Sequence, residues 1–548
     1  MKADGLFLIA WLVAATAWAV PARPVTQTVC MADGTVQEIV LRGDEAFHFY
    51  TTLDGLPVRR NEQGLWEPDA RDVSARWAVA RARRGGLRQM PWQRRQMSLR
   101  RRATVADSGD DQLKRGLLVL VNFRDVRMKW GSTPDVFRQM MNGIGRPYGR
   151  NYGSVREYFR AQSYGQFDVE FDVVGPVSLS KKMEYYGADN GSEGDDIHPA
   201  QMVKEALRAV DDKVDFSLYD WDGNGEVENV FLIYAGYSQS QGAPANTIWP
   251  HQWSLSEATG STLTLDGVKI DTYACSSELL GTSGSTIDGI GTMCHEYSHC
   301  LGLPDFYDTN YKAFGMSYWS VMDNGCNIYD GFCPVAFTAY ERWFCGWLEP
   351  ETLDSVCTVS ALRNLEDYPE AYVIYNDNNA NEYYLLANHQ QVGWNSHAYG
   401  HGMMILHVDY NQKAWVDNTV NNVGSHQRMT IIPADNQLAT GSNSLRGDLW
   451  PGAAGQDALT DETLPAATLF TANSDGTHLM HKPLYGIAEI DGIVSFRFMQ
   501  EEPDGVQMVV ASSSFDPSAL YDLSGKRYTQ RRARRGIYVS HRRKTLIR

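Results

Sequence analysis

Apolar and polar residues follow two periodicities along this chain, one typical of strands and one typical of helices. The changes from one to the other divide the chain into regions. Residues 20–80 contain short runs such as VQEIVL and AFHFY between DGL and NEQG turns, which predicts a small β-rich module. The continuous apolar run GLLVLVNF, residues 116–123, then predicts a buried strand. Beyond residue 350, strand-length alternation with Gly and Asn turns predicts a second β-rich domain.

Helical spacing appears between the strands of the middle region. The segment GSVREYFRAQSYGQF predicts an amphipathic helix that ends near Gly165, and HPAQMVKEALRAV has apolar positions spaced near 3.6 residues. NVFLIYAG is typical of a buried strand. Strands alternating with helices predict an α/β layout for residues 116–349. Residues 350–503 are expected to form an all-β, sandwich-like domain, so the predicted fold class is α+β multidomain.

The N-terminus has the features of a secretory leader. A short cationic start precedes the apolar run LFLIAWLVAATAWAV, and small residues follow it, which predicts a signal peptide over residues 1–19 with cleavage after Ala19 or Ala22. A membrane-spanning helix needs about 20 apolar residues, and no later stretch supplies them. We therefore expect a secreted or cell-surface protein without a transmembrane anchor. Its eight cysteines are too sparse for a disulfide scaffold, so free thiols are expected.

The charge is unevenly distributed. The chain has a formal net charge of −16, yet residues 81–115 hold eleven Lys and Arg against three Asp and Glu. We interpret this segment as an exposed basic linker that trypsin-like proteases could cut during activation, with a solvated basic helix as the alternative. The acidic remainder argues against nucleic-acid binding and suits a protein that binds divalent cations.

The segment HEYSHCLGLPDFYD, which begins at His295, carries the candidate chemistry. His295 and His299 are four residues apart, so they lie on one helical face where both imidazoles can reach one Zn²⁺ ion. Glu296 lies beside them as a candidate general base. Gly302 allows the chain to leave the helix and return Asp305 as a third ligand. This pattern predicts peptide hydrolysis; the alternative is a polar helix end with incidental histidines.

A second candidate site lies in YDWDGNGEVENV. Acidic and amide residues alternate there as in a calcium loop, but the twelfth position is Phe231, which excludes a full EF-hand. A shortened Ca²⁺ loop is expected, with a plain Asp/Gly turn as the alternative. The candidate ligands are Asp220, Asp222, Asn224, Glu226 through its carbonyl, and Glu228.

Together with TIWPHQW and WSVMDNG, these segments resemble the immune inhibitor A-like (M6) family of secreted bacterial zinc metalloproteases, from about residue 116 to residue 500. The resemblance implies a metzincin-like catalytic domain, zinc ligands at His295, His299 and Asp305, and Glu296 as the catalytic base. It also implies that Met322, on a turn, forms an apolar floor beneath the ligands. Ser298 and Cys300 depart from the commonest family pattern, but neither is a ligand.

The last segment, residues 504–548, is similar to the C-terminal sorting modules of secreted Bacteroidota proteins, which a type IX export machinery recognises. The alternative is an ordinary terminal β-hairpin with a basic face. Taken together, the sequence predicts a secreted zinc endopeptidase that acts on proteins or peptides and is made as a zymogen, with residues 20–80 as its propeptide. The alternative is a catalytically idle, calcium-dependent surface binding protein.

Overall fold

The computed structural model describes residues 20–73, 75–77, 113–190, 194, 196–310, 312–453 and 455–500, and the backbone of four strands between residues 519 and 547. The predicted signal peptide and most of the basic linker lie outside the described residues. Contacts group the residues up to Gln500 into one compact unit and the C-terminal strands into another.

The N-terminal module is a five-stranded antiparallel sheet with its strands in chain order. VQEIVL falls on the second strand, and the last three residues of AFHFY fall on the third. A small core of Met31, Ile39, Val58 and Trp66 lies against this sheet. The strands are β1 (Thr26–Cys30), β2 (Val36–Gly43), β3 (His48–Thr52), β4 (Pro57–Arg60) and β5 (Trp66–Pro68).

The middle region contains a five-stranded mixed sheet of order β10-β13-β9-β6-β7 and a three-stranded sheet of order β11-β12-β8. In the larger sheet, β10 is an antiparallel edge strand and the other pairings are parallel. The strands are β6 (Lys114–Asn122), β7 (Val169–Ser178), β8 (Glu226–Val227), β9 (Val230–Tyr237), β10 (His251–Ser254), β11 (Leu263–Leu265), β12 (Val268–Ile270) and β13 (Thr272–Leu279).

The two helices predicted from apolar spacing are present, at Val155–Gln162 and Pro199–Arg208. Ser154 and Glu157 form a reciprocal capping box that begins the second helix. The helices are α1 (Pro134–Asn142), α2 (Val155–Gln162), α3 (Met183–Gly187), α4 (Pro199–Arg208), α5 (Leu255–Thr259), α6 (Gly291–Cys300), α7 (Ala339–Phe344), α8 (Gln412–Val416) and α9 (Ser442–Leu445). Short 3₁₀ turns occupy Phe216–Tyr219, Gln239–Gln241, Ser317–Trp319, Asn324–Gly331 and Gly393–Asn395.

The mixed sheet is buried on both faces, which explains the unbroken apolar run in GLLVLVNF. Leu118 and Leu120 pack into one apolar cluster, whereas Leu117, Val119 and Val121 pack into another. Successive side chains of a strand point to opposite faces, so this division follows from the period of two. Helix α6 packs on the sheet through β13 and β10. The motif helix is thereby fixed to the most buried part of the region.

Residues 351–498 form two further sheets, of orders β14-β16-β17-β18-β19 and β15-β21-β20. Ile374 and Tyr384 of the first share an apolar cluster with Val494 and Phe496 of the second. This agrees with the β-rich prediction, while the sandwich arrangement stays a prediction. The strands are β14 (Glu351–Thr352), β15 (Cys357–Leu362), β16 (Tyr372–Asn376), β17 (Asn379–His389), β18 (Gly402–Asp409), β19 (Met429–Ile431), β20 (Leu484–Ile490) and β21 (Ile493–Phe498).

The C-terminal unit is an antiparallel sheet of four short strands in the order β23-β22-β24-β25. They are β22 (Ala519–Tyr521), β23 (Arg527–Thr529), β24 (Gly536–Ser540) and β25 (Arg543–Ile547). Nowhere in the described part of the chain is there a helix long and apolar enough to cross a membrane. The eight cysteines, all at described positions, are free thiols as predicted, and five of them are buried.

Candidate metal centre

Helix α6 presents the predicted motif at its C-terminal half, and the chain then turns back on itself. The side chains of His295, Glu296 and His299 are buried. Gly302 has a φ of +100°, and its N–H donates to the carbonyl of His299 at 2.8 Å. This conformation carries a steric penalty for residues with a Cβ atom. The turn brings Asp305, also buried, back to the two histidines.

The three predicted ligands converge on one point. The Nε2 atoms of His295 and His299 are 3.1 Å apart. Oδ1 of Asp305 lies 3.2 Å from Nε2 of His295 and 3.3 Å from Nε2 of His299. Tetrahedral zinc with bonds of about 2.0–2.1 Å requires ligand atoms about 3.3 Å apart. The spacing of the three atoms therefore fits a zinc ion.

The hydrogen bonds of the histidines favour the same interpretation. Nδ1 of His295 lies 2.7 Å from the carbonyl of Val321, and Nδ1 of His299 lies 2.7 Å from the carbonyl of Leu303. A carbonyl only accepts, so both Nδ1 atoms carry the proton, and a neutral imidazole then has a lone pair on Nε2. Two such lone pairs face each other beside a carboxylate oxygen. A cation between them satisfies all three atoms, and carbonyl-anchored histidines are typical of metal ligands.

Asp305 has the charge that such a site needs. Burial by itself raises the pKa of its carboxyl group, but the neighbouring His299 and His295 lower that pKa below its usual value. The carboxylate is therefore ionised, and its Oδ1 accepts no hydrogen bond from the described residues. Two neutral imidazoles and one carboxylate form a donor set suited to a divalent zinc ion.

Glu296 lies beside this cluster, and its two carboxyl oxygens differ in their hydrogen bonding. Its Oε1 accepts a hydrogen bond from the backbone N–H of Val20 at 2.7 Å. Its Oε2 is buried and accepts no hydrogen bond from the described residues. Burial raises the pKa of this carboxyl group well above its usual value, and the bond from Val20 offsets part of that rise. A carboxyl group with a raised pKa is suited to taking up and releasing a proton.

The turn that carries Met322 supports the cluster through its backbone. Met322 is completely buried, and its carbonyl accepts from the N–H of Phe306, next to Asp305. The preceding residue, Val321, supplies the carbonyl that holds His295. Asp323 accepts from the N–H groups of Met316 and Ser317, which fixes the turn. The turn therefore orients a histidine and the third ligand together.

Three acidic side chains of the predicted calcium loop lie close together. Ligand oxygens of Asp220, Asp222 and Glu228 lie within 4.8 Å of one another. Asn224 uses its side-chain oxygen to accept from the N–H of Glu226 at 2.8 Å. The carboxylate of Glu226 pairs with Lys269 at 2.8 Å, so its backbone carbonyl stays the predicted ligand.

Residues important to the site were also missed in the sequence. Asn418, more than a hundred residues downstream, donates to Oδ2 of Asp305 at 2.6 Å and accepts from the Asp305 N–H at 2.8 Å. Trp249, within the quoted TIWPHQW segment, donates from Nε1 to the carbonyl of Val20 at 3.0 Å. No local pattern marks Asn418 or Val20, because their contacts arise only through the tertiary fold.

Comparison of the sequence with known proteins shows what this chain is similar to. Residues 132–346 match the family described as Immune inhibitor A peptidase M6, catalytic domain. The chain is 29% identical over 228 residues to the pre-pro-metalloprotease PrtV of Vibrio cholerae, covering 37% of this chain and 24% of that protein. It is 30% identical over 227 residues to immune inhibitor A of Bacillus thuringiensis subsp. alesti, covering 36% and 32% respectively.

The chain thus spans about a quarter to a third of the length of the curated relatives that it matches. The matched residues 132–346 include helix α6, the Met322 turn and every strand of the mixed sheet except β6. The family match and the converging His295, His299 and Asp305 agree on a metallopeptidase-type catalytic region.

Proposed function

We propose that this chain is a secreted zinc-dependent endopeptidase made as a zymogen. The premise of the proposal is the peptidase M6 match over residues 132–346. The convergence of three buried ligand atoms at 3.1–3.3 Å, next to the carboxyl group of Glu296, carries this proposal. The proposal includes three further points: the substrates are proteins or peptides, the protein is exported, and it is inactive until it is activated. A zinc ion bound by His295, His299 and Asp305 would acidify a water molecule and polarise the scissile carbonyl.

Glu296 moves the proton in this scheme. Its carboxylate accepts a proton from the attacking water and then donates it to the nitrogen of the departing amine. Peptide hydrolysis needs both transfers, since the amine leaves only when it is protonated. Asn418 and the carbonyls of Val321 and Leu303 keep the three ligands oriented while Glu296 cycles.

Contacts of the N-terminal module support the zymogen proposal. Val20 is 2% exposed, and it covers Glu296 through the hydrogen bond to its backbone N–H. His48 stacks on Trp249 with ring centroids 4.9 Å apart. Trp77 donates to the carbonyl of Thr309 at 2.9 Å. Substrate cannot reach Glu296 while these contacts persist. If the leader is cleaved after Ala19, the Val20 nitrogen that is hydrogen-bonded to Glu296 becomes the α-amine of the cleaved chain.

Several further assignments rest on sequence resemblance and local geometry. Residues 116–349 are proposed to have a metzincin-like arrangement in which Met322 is the apolar floor. The loop containing Asp220, Asp222 and Glu228 is proposed to bind Ca²⁺, with Asn224 and the Glu226 carbonyl completing the site. The C-terminal strands are proposed to serve as a sorting module for the export machinery.

Replacement of Glu296 by alanine tests the central proposal. Glu296→Ala removes the proton carrier but none of the three metal ligands, so bound zinc should be retained while casein cleavage falls by orders of magnitude. Zinc content is measured by elemental analysis and cleavage by peptide release, after activation of both proteins in the same way. Glu184→Ala, at an exposed position in α3, is the matched control and should cleave normally.

Two results would contradict the proposal. Normal turnover by Glu296→Ala would remove Glu296 from the mechanism. A wild-type protein that binds zinc but cleaves nothing after activation would favour the alternative of an idle surface binding protein.

A further inference from the structure

The side chain of Arg23 is held in a polar recess of the catalytic region. Its Nη2 donates to Oδ1 of Asp330 at 2.6 Å, and its Nη1 donates to Oε1 of Gln241 at 3.3 Å. The backbone N–H of Arg23 donates to the carbonyl of Ser240 at 2.8 Å. The Arg23 side chain is 12% exposed, so the recess removes most of a guanidinium from water.

The contact between Val20 and Glu296 indicates where this recess lies relative to the scissile bond. The Val20 nitrogen lies 2.7 Å from Oε1 of Glu296. In the proposed reaction, Glu296 protonates the nitrogen of the departing amine, which belongs to the first residue after the scissile bond. Val20 therefore occupies the place of that first residue, and its carbonyl is bound by Trp249. Counting along the chain, Arg23 occupies the place of the fourth residue after the bond.

The recess is preorganised by contacts that do not involve Arg23. Gln241 is 8% exposed, and its Nε2 donates to the buried Asp288 at 2.6 Å. Its Oε1 also accepts from the N–H of Gly281 at 2.6 Å. These two bonds fix the amide so that its oxygen faces the guanidinium. Because the amide cannot rotate without losing both bonds, the acceptor persists when Arg23 departs.

Asp330 is fixed in a comparable way. Its Oδ2 accepts from Nη2 of Arg150 at 3.1 Å, which leaves Oδ1 directed at Arg23. Arg150 is itself held over the rings of Tyr329 and Phe332, at 4.9 and 4.4 Å from their centroids. The recess therefore offers a carboxylate oxygen and an amide oxygen, both acceptors, to whatever side chain enters it.

We infer that this recess is a substrate subsite, in which Asp330 and Gln241 select Arg or Lys at the fourth residue after the scissile bond. The inference rests on the proposed function and extends it to substrate class. A partly exposed, charge-assisted contact of this kind gives a preference of about 3- to 10-fold over an uncharged side chain. Arg is expected to exceed Lys, since its fork can reach both acceptors.

Cleavage of matched peptides tests the inference. The activated enzyme is given peptides that are identical except for Arg, Lys, Gln or Glu at the fourth residue after the cleaved bond, with the bond located by mass spectrometry. We expect kcat/KM to fall in that order. In Asp330→Asn, the ratio of the Arg to the Gln peptide should approach one. Asp211→Asn replaces an exposed carboxylate in the turn that follows α4, makes the same charge change and should keep the wild-type ratio.

Equal cleavage of the Arg and Gln peptides by the wild-type enzyme would overturn the inference and leave the proposed function intact. If Asp330→Asn still prefers the Arg peptide over the Gln peptide as strongly as the wild-type enzyme does, residues other than Asp330 select the Arg side chain, and the inference is overturned. If no peptide is cleaved, the proposed function fails and the inference fails with it. Because the peptide series uses the wild-type enzyme, the test stands even if Asp330→Asn does not fold.

Discussion

Asn418 holds Asp305, the proposed third metal ligand, from a distant part of the chain. It binds both the N–H and the Oδ2 of Asp305, and it does so from a backbone φ of +52°. Glycine tolerates this conformation, so Asn418→Gly removes the side chain with little backbone strain. Loss of such an orienting contact typically costs 10- to 100-fold in metal affinity or activity. We expect a loss of about that size in zinc affinity, measured by chelator competition.

Asn436→Gly provides the matched control for this substitution. Asn436 also has a positive φ, of +57°, but it is exposed and lies in a different turn. It should bind zinc like the wild-type protein. Equal affinities for Asn418→Gly and Asn436→Gly would show that Asp305 needs no support from Asn418.

Among the elements, the acidic loop that leads into β9 would be stabilised by a cation. Carboxylate oxygens of Asp220, Asp222 and Glu228 lie within 4.8 Å of one another, and like charges at that distance repel. A bound Ca²⁺ would remove the repulsion and stabilise the folded state. Calcium-selective chelation with zinc held constant should therefore lower the melting temperature by about 5 °C.

Asp222→Asn should abolish this response to calcium, while Asp211→Asn should retain it, since Asp211 lies outside the loop. The melting temperature is followed by circular dichroism with and without calcium. If the melting temperature of the wild-type protein is the same with and without calcium, the loop is a plain Asp/Gly turn.

At the scale of the whole molecule, the N-terminal module and the catalytic region belong to one compact unit, so the proposed activation would require their separation. The arginine-rich linker is the predicted place of cleavage. We expect active secreted material to begin between about residue 84 and residue 116, and the uncut chain to be much less active because Val20 covers Glu296. N-terminal sequencing and casein cleavage on the same sample measure both.

The linker arginines supply the control, because their replacement by glutamine should leave the chain uncut and latent. Full activity from a chain that still begins at residue 20 or 23 would contradict the zymogen proposal. The basic segment would then be a solvated face.

The sequence by itself determined the elements and the chemistry of the motif. The apolar run before Asn122, the 3.6-residue spacing of α2 and α4, and the histidine pair on α6 all rest on local periodicity. The return of Asp305 was also predictable, since Gly302 marks the end of the helix within the same segment. Such features depend on residues a few positions apart, and backbone geometry relates those directly.

Only the tertiary structure decided which distant residues complete the site. Asn418 reaches Asp305 across 113 positions, and Val20 reaches Glu296 across 276. Arg23 meets Asp330 across 307. These contacts depend on how separate segments pack around a shared core, and neither helical nor strand periodicity encodes that arrangement. The proposed ligands could therefore be found in the sequence, whereas the groups that orient and cover them, and the proposed substrate subsite, became visible only once the chain was folded.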